Sequence, residues 1–253
     1  MFGQMAIDPM HQFQIDEYFN IDLGGFDISF TSASLAFVVV LAVIFLILTM
    51  AASKAKIVPS RIQSVGELGY EFIANTVRDT IGEDGMKFFP FVFTLFLLIF
   101  GINMLGMIPY FETPTAQIVV TVALALLVFL TVIIYGLIRN GIGFLKLFVP
   151  SGAPWPLLIL LIPLEIISFF VRPVTLSLRL FGNILAGHIV LKLFISFTVA
   201  LLGLASVLSV VSVATFGLAL AFTALEFLVA FLQAYIFTVL TCVYLNDAFH
   251  PSH

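Results

Sequence analysis

Long apolar stretches alternate with short polar segments along this chain. A membrane-spanning helix needs about 20 apolar residues in a row. Residues 33–52, 88–108 and 116–138 each supply such a run. The pattern therefore predicts three transmembrane helices in the first part of the chain.

The segment between the first two runs, residues 53–87, is the most charged part of the chain. Apolar residues nevertheless recur within it at roughly helical spacing: Val65, Leu68, Phe72, Ile73, Val77 and Ile81. A stripe of this kind predicts an amphipathic helix over residues 60–85 that lies on the membrane surface. A solvated linker helix is the alternative.

Residues 155–245 form an almost unbroken hydrophobic stretch. Its length alone leaves two interpretations open: four ordinary spans, or two long tilted helices joined by an apolar turn. Pro163 and Pro173 are candidate breaks, because proline kinks or ends helices, and Gly203 is a third. A single helix over residues 155–195 would be about 60 Å long, about twice the hydrocarbon thickness, so it would have to tilt steeply or protrude.

Composition supports a membrane protein. Hydrophobic residues make up 62% of the 253 residues and charged residues only 9%, whereas soluble domains carry about 25% charged residues. Long apolar runs without strand alternation predict an all-α bundle rather than a transmembrane barrel. The small net charge of −4 indicates no nucleic-acid partner, and the lone Cys242 excludes an internal disulfide and a cysteine metal motif. We expect a single membrane domain over residues 1–253, without metal or cofactor.

The charge distribution predicts the orientation. Residues 1–31 hold five acidic side chains and no lysine or arginine, the opposite of a secretory signal or a mitochondrial presequence. We therefore expect a retained polar arm. Positive residues mark the cytoplasmic side, and they follow the first and third spans: Lys54, Lys56, Arg61, Arg139 and Lys146. This places the N-terminus outside.

Few ionisable residues interrupt the last hydrophobic stretch: Glu165, Arg172, Arg179, His188, Lys192 and Glu226. A charge near the middle of a membrane helix costs about 2.5–3.5 kcal/mol on insertion scales, and such groups usually mark ion pathways. Arginine keeps its proton at every physiological pH. Something must therefore compensate the charge of Arg179.

The spacing of these residues groups them by face. Glu165, Arg172 and Arg179 are seven positions apart, which places them on one side of a regular helix, and Asn183 extends that side. Beside Pro173, Arg172 is interpreted as an interfacial anchor.

A second group of polar residues points elsewhere. His188 lies roughly opposite Arg179 on the same helix, while Glu226 and Gln233 share one face of the next segment. Histidine and a desolvated glutamate both exchange protons near neutral pH. His188 and Glu226 are therefore predicted to line an aqueous path, separate from the face of Arg179. Lys192 is interpreted as a snorkelling or locally paired residue.

Several motifs resemble subunit a of the F-type ATP synthase. The string Arg-Pro-Val-Thr-Leu-Ser-Leu-Arg-Leu-Phe-Gly-Asn at 172–183 is the most specific, followed by Leu-Gln-Ala-Tyr-Ile-Phe-Thr-Val-Leu at 232–240. Asn103-Met-Leu-Gly-Met-Ile-Pro109 and Pro114-Thr-Ala-Gln also resemble that family. The opening Asp8-Pro-Met-His-Gln-Phe13 is similar to the alphaproteobacterial branch.

The resemblance implies a role for each matching residue. Arg179 matches the essential arginine that faces the carboxylates of the rotating c-ring, and Asn183 and Gln233 match polar residues near it. Glu165 matches a carboxylate at the cytoplasmic exit. His188 and Glu226 match the imidazole and the acid of the entry path. In some bacterial members the two are exchanged, with a glutamate at the position of His188 and a histidine at that of Glu226. Gln117 departs from the acidic residue often found there.

The resemblance also implies a fold, a function and partners. About six helices are expected, the last two being long tilted helices over residues 155–195 and 205–245 that form a hairpin. The implied function is that of a stator proton channel, not catalytic by itself, which passes protons through two half-channels. The implied partners are the c-ring, the peripheral-stalk b subunits and the lipid bilayer, in a bacterial inner membrane or, as the alternative, a mitochondrial one.

Two other functions fit an intramembrane set of charges less well. A self-contained proton channel or secondary transporter would tend to show internal repeats with broken helices, and none is evident in the sequence. A non-conducting scaffold would not need Arg179, His188 and Glu226 within the membrane.

Overall fold

The computed structural model describes residues 17–19, 22–23, 26–27, 30–53, 59–108, 114–149, 154–203 and 208–249. Several predictions from the sequence fall outside these ranges: the motif at 8–13, most of the polar arm 1–31, and the positive residues Lys54 and Lys56. They remain predictions.

Six α-helices dominate the described residues. They are α1 (Ser32–Ser53), α2 (Arg61–Ile81), α3 (Phe89–Gly106), α4 (Ile118–Asn140), α5 (Trp155–Leu202) and α6 (Leu208–Phe249). Short 3-10 helices flank them at Glu83–Phe88, Pro114–Ala116 and Gly141–Phe148. All except α2 are long and apolar enough to cross a membrane. The predicted all-α membrane fold with six helices is confirmed.

The last hydrophobic stretch consists of two helices rather than four spans. Of the candidate breaks, Pro163 and Pro173 both lie inside α5, so neither ends a helix. A helix that ended in lipid would leave several backbone groups without hydrogen bonds, because no water is there to replace them. A membrane helix therefore continues through a proline, which costs it only one hydrogen bond. The helix does end near the third candidate, where the Gly203 N–H donates to the Val199 carbonyl.

The amphipathic helix α2 has clear ends. The hydroxyl of Ser60 caps its first turn by accepting from the Gln63 N–H at 3.3 Å. At the other end, Gly82 adopts a φ of +93° and its N–H donates to the Arg78 carbonyl. Glycine tolerates this left-handed conformation because it has no Cβ.

The apolar residues of α2 lie in two different environments. Ile73, Val77 and Ile81 are buried against neighbouring helices, whereas Val65 and Leu68 are exposed. Because α2 packs against α1, α3 and α6, one side of it joins the core. Its other side presents further apolar surface.

The core lies where α2, α3, α4, α5 and α6 meet. Its largest fully buried side chains include Ile73, Val92, Ile99, Val128 and Phe237. By contrast, α1 buries only Ala33, Ala36 and Val40. It approaches α3 closely at Gly101, where an added Cβ would lie 2.6 Å from the Val40 side chain. The apolar remainder of α1 faces outward.

Among the described residues before α1 there are four short strands, which the expectation of a simple polar arm did not include. The strand β1 (Glu17–Phe19) pairs antiparallel with β4 (Phe30–Thr31), and β2 (Asp22–Leu23) pairs with β3 (Phe26–Asp27). Gly24-Gly25 separates β2 from β3 in the sequence, and two glycines between apolar residues are a hairpin signal. That signal would have predicted the central pairing.

Candidate functional site

Polar side chains link α5 to α6 along the length of their antiparallel hairpin. We call these four contacts the polar ladder: Thr198–Thr215, His188–Glu226, Asn183–Gln233 and Arg172–Asp247. On α5 the ladder spans about 39 Å, more than the hydrocarbon thickness of about 30 Å. Polar contacts therefore recur along most of the shared length of the two membrane helices.

The second contact joins the imidazole and the carboxylate that the sequence assigned to one path. The Nδ1 atom of His188 lies 3.5 Å from Oε1 of Glu226, slightly longer than a hydrogen bond. Both side chains are buried. This Glu226 oxygen has no hydrogen-bond partner among the described residues.

The close fit of Glu226 against α5 depends on Gly187. A Cβ added at this glycine would lie 3.0 Å from Glu226 Oε1 and 3.4 Å from its carboxyl carbon. Beside this contact lies a cavity of about 200 Å³, whose lining includes Asn183, Ala186, Gly187 and Glu226. The cavity therefore connects the Glu226 carboxylate with the side of α5 that carries Asn183.

The third contact is a hydrogen bond between two amides. Nδ2 of Asn183 donates to Oε1 of Gln233 at 2.9 Å. Asn183 is exposed and Gln233 fully buried, so the bond runs from the surface of the hairpin inward. The Nε2 atom of Gln233 has no hydrogen-bond partner within the described chain.

Arg179 lies on the exposed side of α5, between the third and fourth contacts of the ladder. It makes no hydrogen bond or ion pair with any described residue, whereas Leu176 and Leu180, on an adjoining face of the helix, are buried. The charge compensation that the sequence demanded is therefore not supplied by the described part of this chain.

The fourth contact gives Arg172 partners that the sequence analysis did not name. Its guanidinium donates to Asp247 Oδ2 at 2.6 Å and lies 3.7 Å from Glu165 Oε1, and its expected position at the membrane interface remains a prediction. Sequence reasoning missed Asp247. The signal for it was present, because an antiparallel hairpin that pairs His188 with Glu226 also brings the end of α6 beside Arg172.

The first contact lies at the opposite end of the hairpin. The hydroxyls of Thr198 and Thr215 are 2.9 Å apart, and Ser212, one turn from Thr215, is also buried. Lys192 lies one turn from His188 on α5 and makes no ion pair with the described residues. Its predicted snorkelling remains a prediction.

A buried amide of α3 holds α6 from its other side. Nδ2 of Asn103 donates to the Ala230 carbonyl at 3.4 Å, and the Thr115 hydroxyl donates to Asn103 Oδ1 at 2.9 Å. Ala230 lies one turn before Gln233. Asn103 belongs to a motif that the sequence singled out, but this function could not be inferred without the fold.

Comparison with known proteins identifies a family. The family model described as "ATP synthase A chain" matches residues 33–246. The ATP synthase subunit a of Hyphomonas neptunium is 55% identical over 246 residues, covering 97% of each chain. That of Mesorhizobium japonicum is 54% identical and covers 98% of each chain. That of Brucella ovis is 55% identical over 98% of this chain and all of its own.

The relatives match nearly the whole chain, and the family model covers every residue of the polar ladder except Asp247, which lies one residue beyond its end. They confirm the family that the motif at 172–183 predicted. The chain belongs to the ATP synthase A chain family.

Proposed function

We propose that this chain is the stator subunit that passes protons to and from the carboxylates of a rotating c-ring in an ATP synthase. One observation carries the proposal: Arg179 lies exposed and unpaired on the α5–α6 hairpin, with the His188–Glu226 pair buried behind it. A fixed cation in this position suits a partner whose carboxylates arrive in turn. The chain carries out no catalysis by itself.

Proton entry would use the second contact of the ladder. His188 and Glu226 are the buried acid and base, and the cavity beside Gly187 leads from Glu226 toward Asn183. Asn183 is one helical turn from Arg179. A proton leaving Glu226 would therefore reach the exposed side of α5 near the place where a ring carboxylate passes.

The charge of Arg179 accounts for release of the proton. An opposite charge within a few ångström lowers a carboxylate's pKa by about 1–3 units, so a ring carboxylate beside Arg179 would lose its proton. Because arginine does not deprotonate, the same charge also repels protons from a direct route between entry and exit.

Proton exit is assigned to Glu165, about four helical turns before Arg179 on α5. Its side chain is partly exposed and lies near the end of the hairpin that holds Asp247. Each charge that crosses the membrane contributes about 2.3 kcal/mol per 100 mV. Separate entry and exit positions make that energy available for rotation.

Two kinds of partner and the lipid bilayer are proposed to contact this chain. The c-ring is assigned to the side of α5 that carries Arg179. The peripheral-stalk b subunits are proposed as the second partner, and the outward apolar side chains of α1, among them Phe45 and Leu46, offer surface either to them or to lipid.

The proposed location is the bacterial inner membrane, with the N-terminus in the periplasm. The acidic arm 1–31 and the basic residues after the first and third spans support this orientation. Cysteine placed at Asp8 should react with a membrane-impermeant maleimide in intact spheroplasts. Reaction only in inverted vesicles would reverse the orientation.

The proposed function is tested by Arg179→Ala in the assembled synthase. We expect ATP-driven proton pumping into inverted vesicles to be abolished, while the subunit remains in the purified complex. Arg78→Ala is the matched control, since Arg78 pairs with Glu83 on an exposed surface and should pump normally. Full pumping by Arg179→Ala would refute the mechanism.

A self-contained proton channel is the competing function. It predicts that the purified chain alone conducts protons in liposomes. The proposed function predicts conduction only when the c-ring is reconstituted with it.

A further inference from the structure

The fourth contact of the polar ladder is a three-member ion cluster rather than a simple pair. One amino group of Arg172 donates to Asp247 Oδ2 at 2.6 Å. The other lies 3.7 Å from Oε1 of Glu165, two turns earlier on α5. The guanidinium thus links a carboxylate at the end of α6 to the carboxylate that we assign to proton exit.

Aromatic rings restrict the guanidinium further. Its central carbon lies 5.2 Å from the ring centroid of Tyr244 and 5.9 Å from that of Phe169. Tyr244 and Asp247 are one turn apart on α6, so both contact Arg172 from the same helix. Stacking over aromatic faces favours a fixed orientation of the planar arginine side chain.

The α6 end of the cluster is itself held in place. Nδ2 of Asn140 donates to the Ala248 carbonyl at 2.6 Å, and the guanidinium of Arg139 lies 4.4 Å from the ring centroid of Phe249. Both contacts come from the end of α4. Asp247, next in the chain to Ala248, is therefore an anchor supported from a third helix.

Exposure separates the roles of the three charged groups. The side chain of Asp247 is 14% exposed, that of Arg172 24% and that of Glu165 32%. The tight hydrogen bond joins the two more buried members, and the looser ion pair joins Arg172 to the more accessible one. Asp247 therefore fixes Arg172, and Arg172 in turn restrains Glu165.

We propose that Arg172, anchored by Asp247, is a positioning residue for proton exit: it holds the Glu165 carboxylate at the place where protons leave the hairpin. This rests on the proposed function. Arg172 itself takes no proton. A Glu165 side chain without this restraint would sample several rotamers, and fewer of them would lie on the proton's route.

The test is a mutant cycle in the assembled synthase, measured as ATP-driven proton pumping into inverted vesicles. Arg172→Gln should slow pumping by roughly tenfold, within the range for a misplaced reacting group. The Arg172→Gln, Glu165→Gln double variant should pump no more slowly than Glu165→Gln alone. If Glu165→Gln stops pumping altogether, Glu165→Asp serves as the background instead.

Two further variants distinguish positioning from simple stabilisation of the hairpin. Asp247→Asn should slow pumping in the same direction and likewise lose its effect when Glu165 is changed. Arg172→Lys should recover part of the rate, since a lysine can still pair with either carboxylate. Arg78→Gln, in an exposed ion pair, is the control, and the amount of subunit in the purified synthase is measured for every variant.

Independent, multiplying losses from Arg172→Gln and the Glu165 variant would overturn the proposal, as would normal pumping by Arg172→Gln. Either result leaves the proposed function standing, because that function is tested separately by Arg179→Ala.

Discussion

Nδ1 of His188 on α5 lies 3.5 Å from Oε1 of Glu226 on α6, and both side chains are buried. If the pair acts as one proton relay, the order of the two groups matters less than the presence of both. The exchanged variant His188→Glu, Glu226→His should therefore retain more ATP-driven pumping than either His188→Ala or Glu226→Ala. An exchanged variant as inactive as the alanine variants, yet present in the complex, would refute a shared path.

Gly187→Ala tests the close fit beside this pair. The new Cβ would lie 3.0 Å from Glu226 Oε1, so the carboxylate or the helix must shift by a few tenths of an ångström. We expect pumping to fall roughly tenfold, because small displacements of reacting groups are costly. Gly217→Ala is the matched control, since a Cβ on that α6 glycine meets no atom within 4 Å. Equal pumping by both variants would contradict the expected displacement.

The hydrogen bond between Asn103 and Thr115 should make the loss of one partner cost more stability, for what is removed, than the replacement of both. Thr115→Val removes the hydroxyl that donates to the buried Oδ1 of Asn103 and leaves that oxygen without its donor. The free energy of unfolding should fall by about 1–3 kcal/mol. Replacing both partners, as Asn103→Leu with Thr115→Val, should cost less than the sum of the two single changes. The measurement is thermal unfolding of the purified chain in detergent. Additive losses would mean that the two side chains do not interact in the folded protein.

The burial of Cys242 predicts that the folded chain does not react with thiol reagents. Cys242 is the single cysteine and is completely buried, so a maleimide should react with it only after denaturation. The measurement is the mass of the protein after labelling in mild detergent and again in denaturant. Rapid labelling of the folded chain would show that α6 is packed less tightly than described.

Much of the fold could be predicted from the sequence because lipid imposes simple rules on length and polarity. The apolar runs at 33–52, 88–108 and 116–138 each correspond to a helix. The stretch after residue 155 was ambiguous, since its apolar character is the same whether it turns or continues. Pro163 illustrates the limit: a residue that ends helices in water is tolerated inside a membrane helix.

The candidate site was predictable in its members but not in its pairings. Arg179 was found because its charge is expensive in a membrane, and His188 and Glu226 because they are ionisable there. Which side chain of α5 meets which of α6 depends on the register of the hairpin, and that register is set by packing over the whole bundle. The pairing of His188 with Glu226 brings the end of α6 near Arg172, but only the register of the fold shows that Asp247 is the residue that meets it.

The exposed position of Arg179 also bears on how the complex is built. A chain inserted alone would carry an unpaired cation facing lipid, at a cost of about 2.5–3.5 kcal/mol on insertion scales. Docking against a carboxylate-bearing ring would remove that cost. On the proposed function, the isolated subunit is therefore less stably inserted than the assembled one by about that amount.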